Sequence, residues 1–266
     1  MNRKIGFIGC GNMAKAMIGG IIESKLVSPQ DVIASDGYMP SLEGTKAKYG
    51  IKITQDNKEV ASSSDVVFLA VKPNMYEAVI DEIKDSVDEK TMIVTIAPGK
   101  TLANIEKCFG KKVKVLRTMP NTPALVGAGV TAVCPNSEIN KEEFEALREI
   151  IGTFSLVEQV DEKLFDAVVS VSGSSPAYVF MFIEAMADAA VIQGMPRDKA
   201  YRFAAQAVMG SAKMLLETGK HPGELKDMVC SPGGTTIEAV AVLEEKGFRT
   251  AVIEAMRACG EKSSKM

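Results

Sequence analysis

The sequence predicts an α/β protein in which a doubly wound, mostly parallel sheet is followed by an all-helical C-terminal domain. Three observations lead to this prediction. A glycine turn near the N-terminus joins an apolar run to a helical pattern. Short runs rich in Val and Ile then alternate with helical patterns, which is typical of a parallel sheet with helices on both faces. After Asp161 the strand signals stop. We therefore expect a sheet domain over residues 1–160 and a helical domain over residues 161–266.

The strands of the sheet domain are predicted from short apolar runs bounded by Gly, Pro, Asp or Ser. These runs are Lys4–Ile8, Val32–Ser35, Val66–Val71, Met92–Ile96, Lys114–Arg117, Val130–Cys134 and Leu156–Val160. Helical patterns lie between them, at Asn12–Ser24, Leu42–Tyr49, Asn74–Ile83, Leu102–Phe109 and Lys141–Ile151. Because ligands bind at the carboxyl ends of the strands in such a sheet, the loops after these strands form the candidate site.

The helical domain is predicted from periodic segments with recognisable ends. Gly194, Gly219 and Gly247 mark helix ends, and Pro196 and Pro222 lie where new helices begin. The segments are Asp161–Val171, Pro176–Gln193, Arg197–Thr218, Glu224–Val229, Thr235–Lys246 and Phe248–Lys262.

One helix of this domain, Tyr178–Ile192, is apolar almost all round. Only Glu184 and Asp188 interrupt it. A helix of this kind must be buried on most sides, and a domain of about a hundred residues can hardly enclose it alone. Burial against a second subunit is the favoured interpretation, and an ordinary core helix is the alternative. Since no His lies near the two acidic residues, we expect a solvent-facing stripe there and no metal site.

Composition excludes several classes of partner. The net charge is −3 and the basic residues do not cluster, so we expect neither nucleic acid nor a membrane as partner. No apolar run of about 18 residues predicts a membrane span. The N-terminus leads directly into a strand, so we expect no signal peptide. The cysteines are odd in number, far apart and without a C-x-x-C pair, which favours free thiols in the cytoplasm. They are Cys10, Cys108, Cys134, Cys230 and Cys259.

The glycine turn fits the G-x-G-x-x-G/A spacing at Gly9, Gly11 and Ala14. Gly9 permits the tight turn, Gly11 lets a pyrophosphate approach the backbone, and Ala14 keeps the helix close to the strand. The helix N-terminus then offers N–H groups to the phosphates. This spacing predicts a Rossmann-type dinucleotide site, and a glycine turn in some other α/β unit is the alternative.

Asp36 follows the second predicted strand, where an acidic residue binds the ribose 2′-hydroxyl. Its charge would repel a 2′-phosphate, so by itself it favours NADH. The alternative is a turn-forming Asp ahead of Gly37. Further strand ends, at Ala70-Val71-Lys72-Pro73 and at Ala97, should also face the cofactor. Lys72 either contacts the nucleotide or caps a helix.

Three loops are candidates for the substrate. The first is the stiff segment Arg117–Pro123, which contains Asn121, and the others are Ser172–Pro176 and Ser231–Thr236. The last two bring hydroxyls to a helix N-terminus and suit a carboxylate or phosphate, with plain N-capping as the alternative. The only histidine, His221, occupies a helix-start position. A reaction without a strong general base is therefore favoured, such as hydride addition to a protonated C=N bond.

Together these motifs resemble the pyrroline-5-carboxylate reductase family over nearly the whole chain. The matching segments are Phe7–Ala14, Phe68–Pro73, Met119–Pro123, Ser172–Tyr178, Leu225–Asp227 and Ser231–Thr236. The resemblance implies hydride transfer from NADPH or NADH to the C=N bond of 1-pyrroline-5-carboxylate, giving L-proline. It also implies dimers with intertwined helical domains, often assembled as five dimers in a ring.

The resemblance implies roles for particular residues. The cofactor would be lined by Ile8, Gly9, Cys10, Gly11, Asn12, Met13, Ser35, Asn57, Lys72, Pro73 and Ala97. Gly233, Gly234, Thr235 and Thr236 would hold the carboxylate, and the Thr236 hydroxyl would also reach the ring nitrogen. Ser174 would line the same pocket, and Glu162 matches a position near the substrate. Thr236 and Ser174 are thus the candidate catalytic residues.

Two positions depart from the family pattern. Ser175 stands where the family often has Gly, which adds a side chain to the substrate loop. Ser35-Asp36 stands where members that prefer NADPH carry Asn-Arg. Two other functions remain as alternatives: a β-hydroxy acid dehydrogenase-like reductase, and a non-catalytic NAD(P)-binding regulator.

Overall fold

The computed structural model describes residues 3–265. They divide into two compact units. The first unit holds the described residues up to Ser174 together with those from Cys259 onward, and the second is Ser175–Ala258. The division thus falls after Ser174, whereas the sequence predicts it after residue 160. The segment 161–174 and the end of the last helix make their contacts mainly within the sheet unit.

The first unit is built on an eight-stranded sheet. Its strands are β1 Ile5–Ile8, β2 Val32–Ser35, β3 Lys52–Thr54, β4 Val66–Leu69, β5 Met92–Thr95, β6 Lys114–Met119, β7 Gly129–Pro135 and β8 Ser155–Gln159. Their order is β3-β2-β1-β4-β5-β6-β7-β8, and every neighbouring pair is parallel except β6 and β7. The mostly parallel sheet is confirmed, and its first six strands have the order of a doubly wound dinucleotide-binding sheet.

The helices of the sheet unit are α1 Asn12–Glu23, α2 Met39–Tyr49, α3 Asn57–Ser63, α4 Tyr76–Ile83, α5 Leu102–Phe109, α6 Lys141–Gly152 and α7 Phe165–Val168. A π-helical turn, Val169–Gly173, follows α7. Strand β3 and helix α3 are absent from the sequence prediction. Strand β3 is short and partly exposed, and α3 buries only Val60 and Ala61, so neither leaves a clear apolar pattern.

Alternate residues of each strand pack on opposite faces of the sheet. On one face Phe7 stacks on Phe68, with 4.7 Å between the ring centroids, and helices α1, α2 and α6 cover this layer. On the other face Ile8 and Leu69 pack under α3, α4 and α5. Because helices cover both faces, the open carboxyl edge is where strand-end loops meet a ligand.

Helices alone form the second unit. They are α8 Ser175–Ile192, α9 Arg197–Thr218, α10 Pro222–Val229, α11 Thr235–Glu245 and α12 Phe248–Ser263, the last of which ends in the first unit. The all-helical C-terminal region is therefore confirmed. The predicted helix ends at Gly194 and Gly219 are also observed, since both residues have positive φ.

Helix α8 presents an apolar surface. Of its residues only Ala187 is buried, while Phe180 and Met181 are 65% and 68% exposed. The stretch Glu162–Ile192 has the length and composition of a membrane-spanning helix, and little of it is buried. This differs from the expectation that no segment of the chain would have the character of a membrane span, which rested on the lack of an apolar run of about 18 residues. An oligomer interface has the same composition, and a single helix of this kind is weak evidence for a membrane.

Candidate active site

Gly9 forms the tight turn that follows β1. Its φ is +97°, and a Cβ at this position would lie 2.5 Å from the Ala70 carbonyl oxygen. The Gly9 N–H donates to the Ser35 carbonyl at 2.8 Å, and the Ala70 N–H donates to the Ile8 carbonyl at 2.8 Å. The turn is thus fixed between the ends of β2 and β4, and only glycine fits there.

Gly11 opens the N-terminus of α1. It is the N-cap residue and no side chain caps the helix, so the first N–H groups, from Asn12 and Met13 onward, lack a side-chain acceptor. A Cβ on Gly11 would meet no atom within 4 Å, and Ala14 is buried against the sheet. This arrangement suits a pyrophosphate, whose charge the N-terminus of a helix stabilises.

Cys10 lies between the two glycines and points into the core. Its thiol is 3.2 Å from the Thr45 hydroxyl, and its carbonyl accepts from the Ser41 hydroxyl at 2.7 Å. Burial raises the pKa of the Cys10 thiol, so it stays protonated near neutral pH. Cys10 therefore serves the turn through its backbone, while its side chain packs the turn against α2.

Asp36 joins the glycine turn to the loop after β2. One carboxylate oxygen accepts from the Cys10 N–H at 2.7 Å, and the other accepts from the Tyr38 N–H at 2.8 Å. The second contact is the turn role that the sequence analysis gave as the alternative. Each oxygen keeps a further lone pair, so a ribose hydroxyl remains a compatible donor.

Ser35 and Asn57 meet at the carboxyl ends of β2 and β3. The buried Ser35 hydroxyl donates to the Asn57 side-chain oxygen at 2.7 Å, and the Asn57 amide donates to Glu82 at 2.8 Å. These bonds fix both side chains beside the glycine turn. The structure thus brings these two proposed cofactor residues together, and the sequence gave no sign of the contact with Glu82.

The ends of β4 and β5 lie side by side in the sheet. Lys72 is exposed at the start of the short turn Pro73–Met75, and its side chain makes no capping hydrogen bond. Ala97 is 4% exposed, and Ala70 and Val71 are half-buried. The predicted cofactor residues of the first unit therefore gather at one edge, after five neighbouring parallel strands.

Asn121 and Glu162 both have partners within the first unit. The Asn121 amide donates to the Ser172 carbonyl at 3.1 Å and accepts from the Val130 N–H at 3.0 Å. One Glu162 oxygen accepts from the Leu102 N–H at 2.7 Å and from the buried Arg117 guanidinium at 2.8 Å. Asn121 thus ties the π-helical turn to the start of β7, and Glu162 caps α5.

Ser174 closes the π-helical turn. Its N–H donates to the Val169 carbonyl at 2.8 Å, and its hydroxyl accepts from the Cys259 thiol at 3.2 Å. Turns of this kind are frequent at functional sites. Sequence reasoning treated Cys259 only as a free thiol, because a contact across 85 residues leaves no local signal.

In the second unit, the segment 231–236 leads into α11. Gly233 has a φ of +66°, and a Cβ on Gly234 would lie 2.4 Å from the Ser231 hydroxyl. Gly234 is the N-cap residue, and no side chain caps the helix. The first N–H groups of α11 therefore lack a side-chain acceptor, and Thr235 and Thr236 stand at this terminus. Plain N-capping, the alternative interpretation, is not what this helix shows.

His221 has a structural role at a helix start, and neither it nor the five thiols belong to a metal-binding cluster in the part of the chain that the structure describes. His221 accepts from the Gly223 N–H at 3.1 Å and so caps α10, as its position suggested. All five cysteines are free thiols. Within residues 3–265 no group of three or more His, Cys, Asp or Glu side chains has the arrangement of a metal site.

The sheet order and the glycine turn define a Rossmann-type, dinucleotide-binding oxidoreductase. Residues 4–99 match a family described as NADP oxidoreductase, coenzyme F420-dependent, and residues 162–266 match the pyrroline-5-carboxylate reductase dimerisation family. The chain belongs to the pyrroline-5-carboxylate reductase family, because relatives of that name align with it over its whole length.

Three relatives illustrate this membership. The Escherichia coli pyrroline-5-carboxylate reductase is 55% identical, and the alignment covers 100% of this chain and 99% of that protein. The solved Coxiella burnetii enzyme is 36% identical with a TM-score of 0.92, covering 100% of this chain and 98% of that one. A structure of the Plasmodium falciparum pyrroline carboxylate reductase with NADP bound is 30% identical with a TM-score of 0.90. The alignment covers 99% of this chain and 98% of that one.

Proposed function

We propose that this chain reduces the C=N bond of 1-pyrroline-5-carboxylate to give L-proline. The observation that carries the proposal is full-length identity of 55% to a relative of that name. The nicotinamide cofactor supplies the hydride when it is bound. The chain supplies the glycine turn for the pyrophosphate and uncapped helix N-termini for negative charge. Family membership favours imine reduction over the hydroxy-acid dehydrogenase and the non-catalytic regulator.

The substrate carboxylate is assigned to the start of α11. The Gly233 N–H, the first N–H groups of α11 and the Thr235 hydroxyl are donors for an anion, and the helix dipole adds to the attraction. The Gly234 N–H, which the resemblance also assigned to the carboxylate, is engaged instead, because it donates to the Ser231 carbonyl at 3.0 Å. The Thr236 hydroxyl hydrogen-bonds the ring nitrogen and orients the reacting bond. Ser174 is proposed as a further substrate-binding residue, and its hydroxyl accepts from the Cys259 thiol at 3.2 Å.

Asn121 and Glu162 have a supporting role in this proposal. Both polar atoms of the Asn121 amide are engaged, with Ser172 and Val130. One oxygen of Glu162 is engaged, with Leu102 and Arg117. Both residues are therefore proposed to act by fixing the loops from which these partners come. This is narrower than the direct contact that the sequence analysis expected.

Asp36 is proposed to favour NADH over NADPH. Its carboxylate accepts from the ribose hydroxyls and repels a 2′-phosphate, and the nearest following basic residues are Lys46 and Lys48 on α2. Its bonds to Cys10 and Tyr38 hold the charge in place. The family that residues 4–99 match is described as an NADP oxidoreductase, so a preference for NADH would be a departure from that description.

Self-association is proposed to occur through the helical region. The matched dimerisation family and the exposed apolar face of α8 support a dimer with intertwined helical domains. A decamer built from five dimers is the larger assembly that the family resemblance suggests. A cytoplasmic location agrees with five free thiols.

The test is steady-state oxidation of NADPH and of NADH in the presence of 1-pyrroline-5-carboxylate. Proline should form in proportion to the dinucleotide that is consumed. Turnover with small hydroxy acids and none with pyrroline-5-carboxylate would support the dehydrogenase instead. Tight dinucleotide binding without turnover of either substrate would support the regulator.

A further inference from the structure

A buried tyrosine that no motif identifies lies between the ends of β4 and β5. Tyr76 is the first residue of α4, and its side chain is 1% exposed. Its hydroxyl donates to the Leu69 carbonyl at 2.6 Å and accepts from the Ile96 N–H at 3.2 Å. Leu69 is the last residue of β4, and Ile96 is the first residue after β5.

These bonds occur where the two strands part. The β4–β5 register ends at the pair of Leu69 and Thr95, beyond which each strand continues as a loop. The Tyr76 hydroxyl therefore links the backbones at the point where the ladder stops. Burial raises the pKa of Tyr76 well above its usual value, so the hydroxyl keeps the proton that it donates to Leu69.

The two loops that start here carry proposed cofactor residues. Leu69 is followed by Ala70, against whose carbonyl the Gly9 turn is packed, and Ile96 is followed by Ala97. A shift of the end of β4 would therefore displace the Gly9 turn. A shift of the end of β5 would displace Ala97, the proposed cofactor residue of that strand. Small displacements at such a site have large effects on binding and turnover.

We propose that Tyr76 is a positioning residue for the dinucleotide, which acts by holding the ends of β4 and β5 at a fixed separation. It does not touch the cofactor, because its hydroxyl is occupied by backbone groups. The inference depends on the dinucleotide site proposed above.

Tyr76→Phe removes the hydroxyl and keeps the ring. We expect the Kd and the KM for the preferred dinucleotide to rise about tenfold, which corresponds to about 1.4 kcal/mol. The KM for pyrroline-5-carboxylate at saturating dinucleotide should change less than twofold, because the α11 terminus is unaltered. Dinucleotide binding is measured by titration calorimetry, and the two KM values by steady-state kinetics.

Two control variants separate positioning from stability. Tyr49→Phe removes a hydroxyl at the end of α2, just before β3 begins and therefore away from the carboxyl ends of the strands. This variant should leave the dinucleotide Kd unchanged. Phe109→Leu, in the same core layer as Tyr76, lowers stability without touching the strand ends. All binding is measured well below each variant's melting temperature.

Three results are decisive. An unchanged dinucleotide Kd in Tyr76→Phe would overturn the inference. An equal rise in Kd in Phe109→Leu, at a matched loss of melting temperature, would overturn it as well. Failure of the wild type to bind either dinucleotide would instead overturn the proposed cofactor site, and with it the premise of the inference.

Discussion

At the scale of single residues, side chains brace the glycine turn after β1 and the strand ends beside it. The Asp36 carboxylate, the Ser41 hydroxyl and the Tyr76 hydroxyl each brace the glycine turn or a strand end beside it through a hydrogen bond to a main-chain atom. The glycine turn was predictable from spacing because the steric demand at Gly9 is local. The bracing contacts were not, since their partners lie 7 to 31 residues away along the chain.

Thr236→Ala tests the proposed substrate contact. Loss of one hydrogen bond to a charged substrate should lower kcat/KM by roughly 30-fold, or about 2 kcal/mol, with the fold intact. Thr250→Ala, which alters an exposed threonine on α12, is the matched control. Wild-type kinetics in Thr236→Ala at an unchanged melting temperature would remove Thr236 from the site.

Asp36→Arg tests the cofactor preference. We expect the wild type to use NADH at least as well as NADPH. The substitution should move the ratio of kcat/KM values toward NADPH by about tenfold or more, or about 1.4 kcal/mol. Both dinucleotides should also bind more weakly, because the bonds to Cys10 and Tyr38 are lost.

Asp36→Asn keeps an acceptor and removes the charge, so it separates the two effects. A strong wild-type preference for NADPH that neither substitution changes would leave Asp36 with the turn role alone. The ribose would then be recognised elsewhere on the chain.

At the scale of elements, the strands and helices with continuous apolar patterns were predictable, and the others were not. Strand β3 has only Ile53 as an apolar residue, so its pairing with β2 depends on a neighbour rather than on its own pattern. The start of α5 likewise depends on a distant residue, because Glu162 accepts from the Leu102 N–H. The sequence placed Glu162 near the substrate but gave no sign of this capping contact.

Glu162→Gln tests whether that carboxylate is structural. Arg117 has 7% of its side chain exposed, so removing the charge of its partner leaves a buried cation unpaired. We expect the free energy of unfolding to fall by about 3 kcal/mol, measured by urea denaturation. Glu158→Gln, on the exposed edge strand β8, should change it little. Unchanged stability with a raised KM for the substrate would favour direct substrate contact instead.

At the scale of the whole molecule, the helical region presents large apolar side chains on its surface, which supports the proposed self-association. Phe180 and Met181 on α8 are largely exposed, and so are Phe203 on α9 and Val229 on α10. The sequence predicted this from the nearly continuous apolar pattern of α8. It gave no information on how many copies assemble, because the pattern identifies a buried surface and not its symmetry.

Light scattering at micromolar concentration should give a mass of at least twice the 28.4 kDa of one chain. Phe180→Asp, which puts a charge into the apolar face, should lower that mass or the yield of folded protein. Lys107→Asp, on α5 of the sheet unit, is the control. A wild-type mass near 28.4 kDa would contradict the proposed dimer.

The burial of Cys10 has a consequence for chemical labelling. Its thiol lies beneath the glycine turn, is buried, and has a pKa raised by that burial. A maleimide or disulfide reagent reaches it only when the sheet opens, so its modification rate reports local unfolding. Any ligand that binds the closed turn slows that opening by mass action. The modification rate of Cys10, measured apart from the four less buried thiols, therefore reports occupancy of the proposed dinucleotide site.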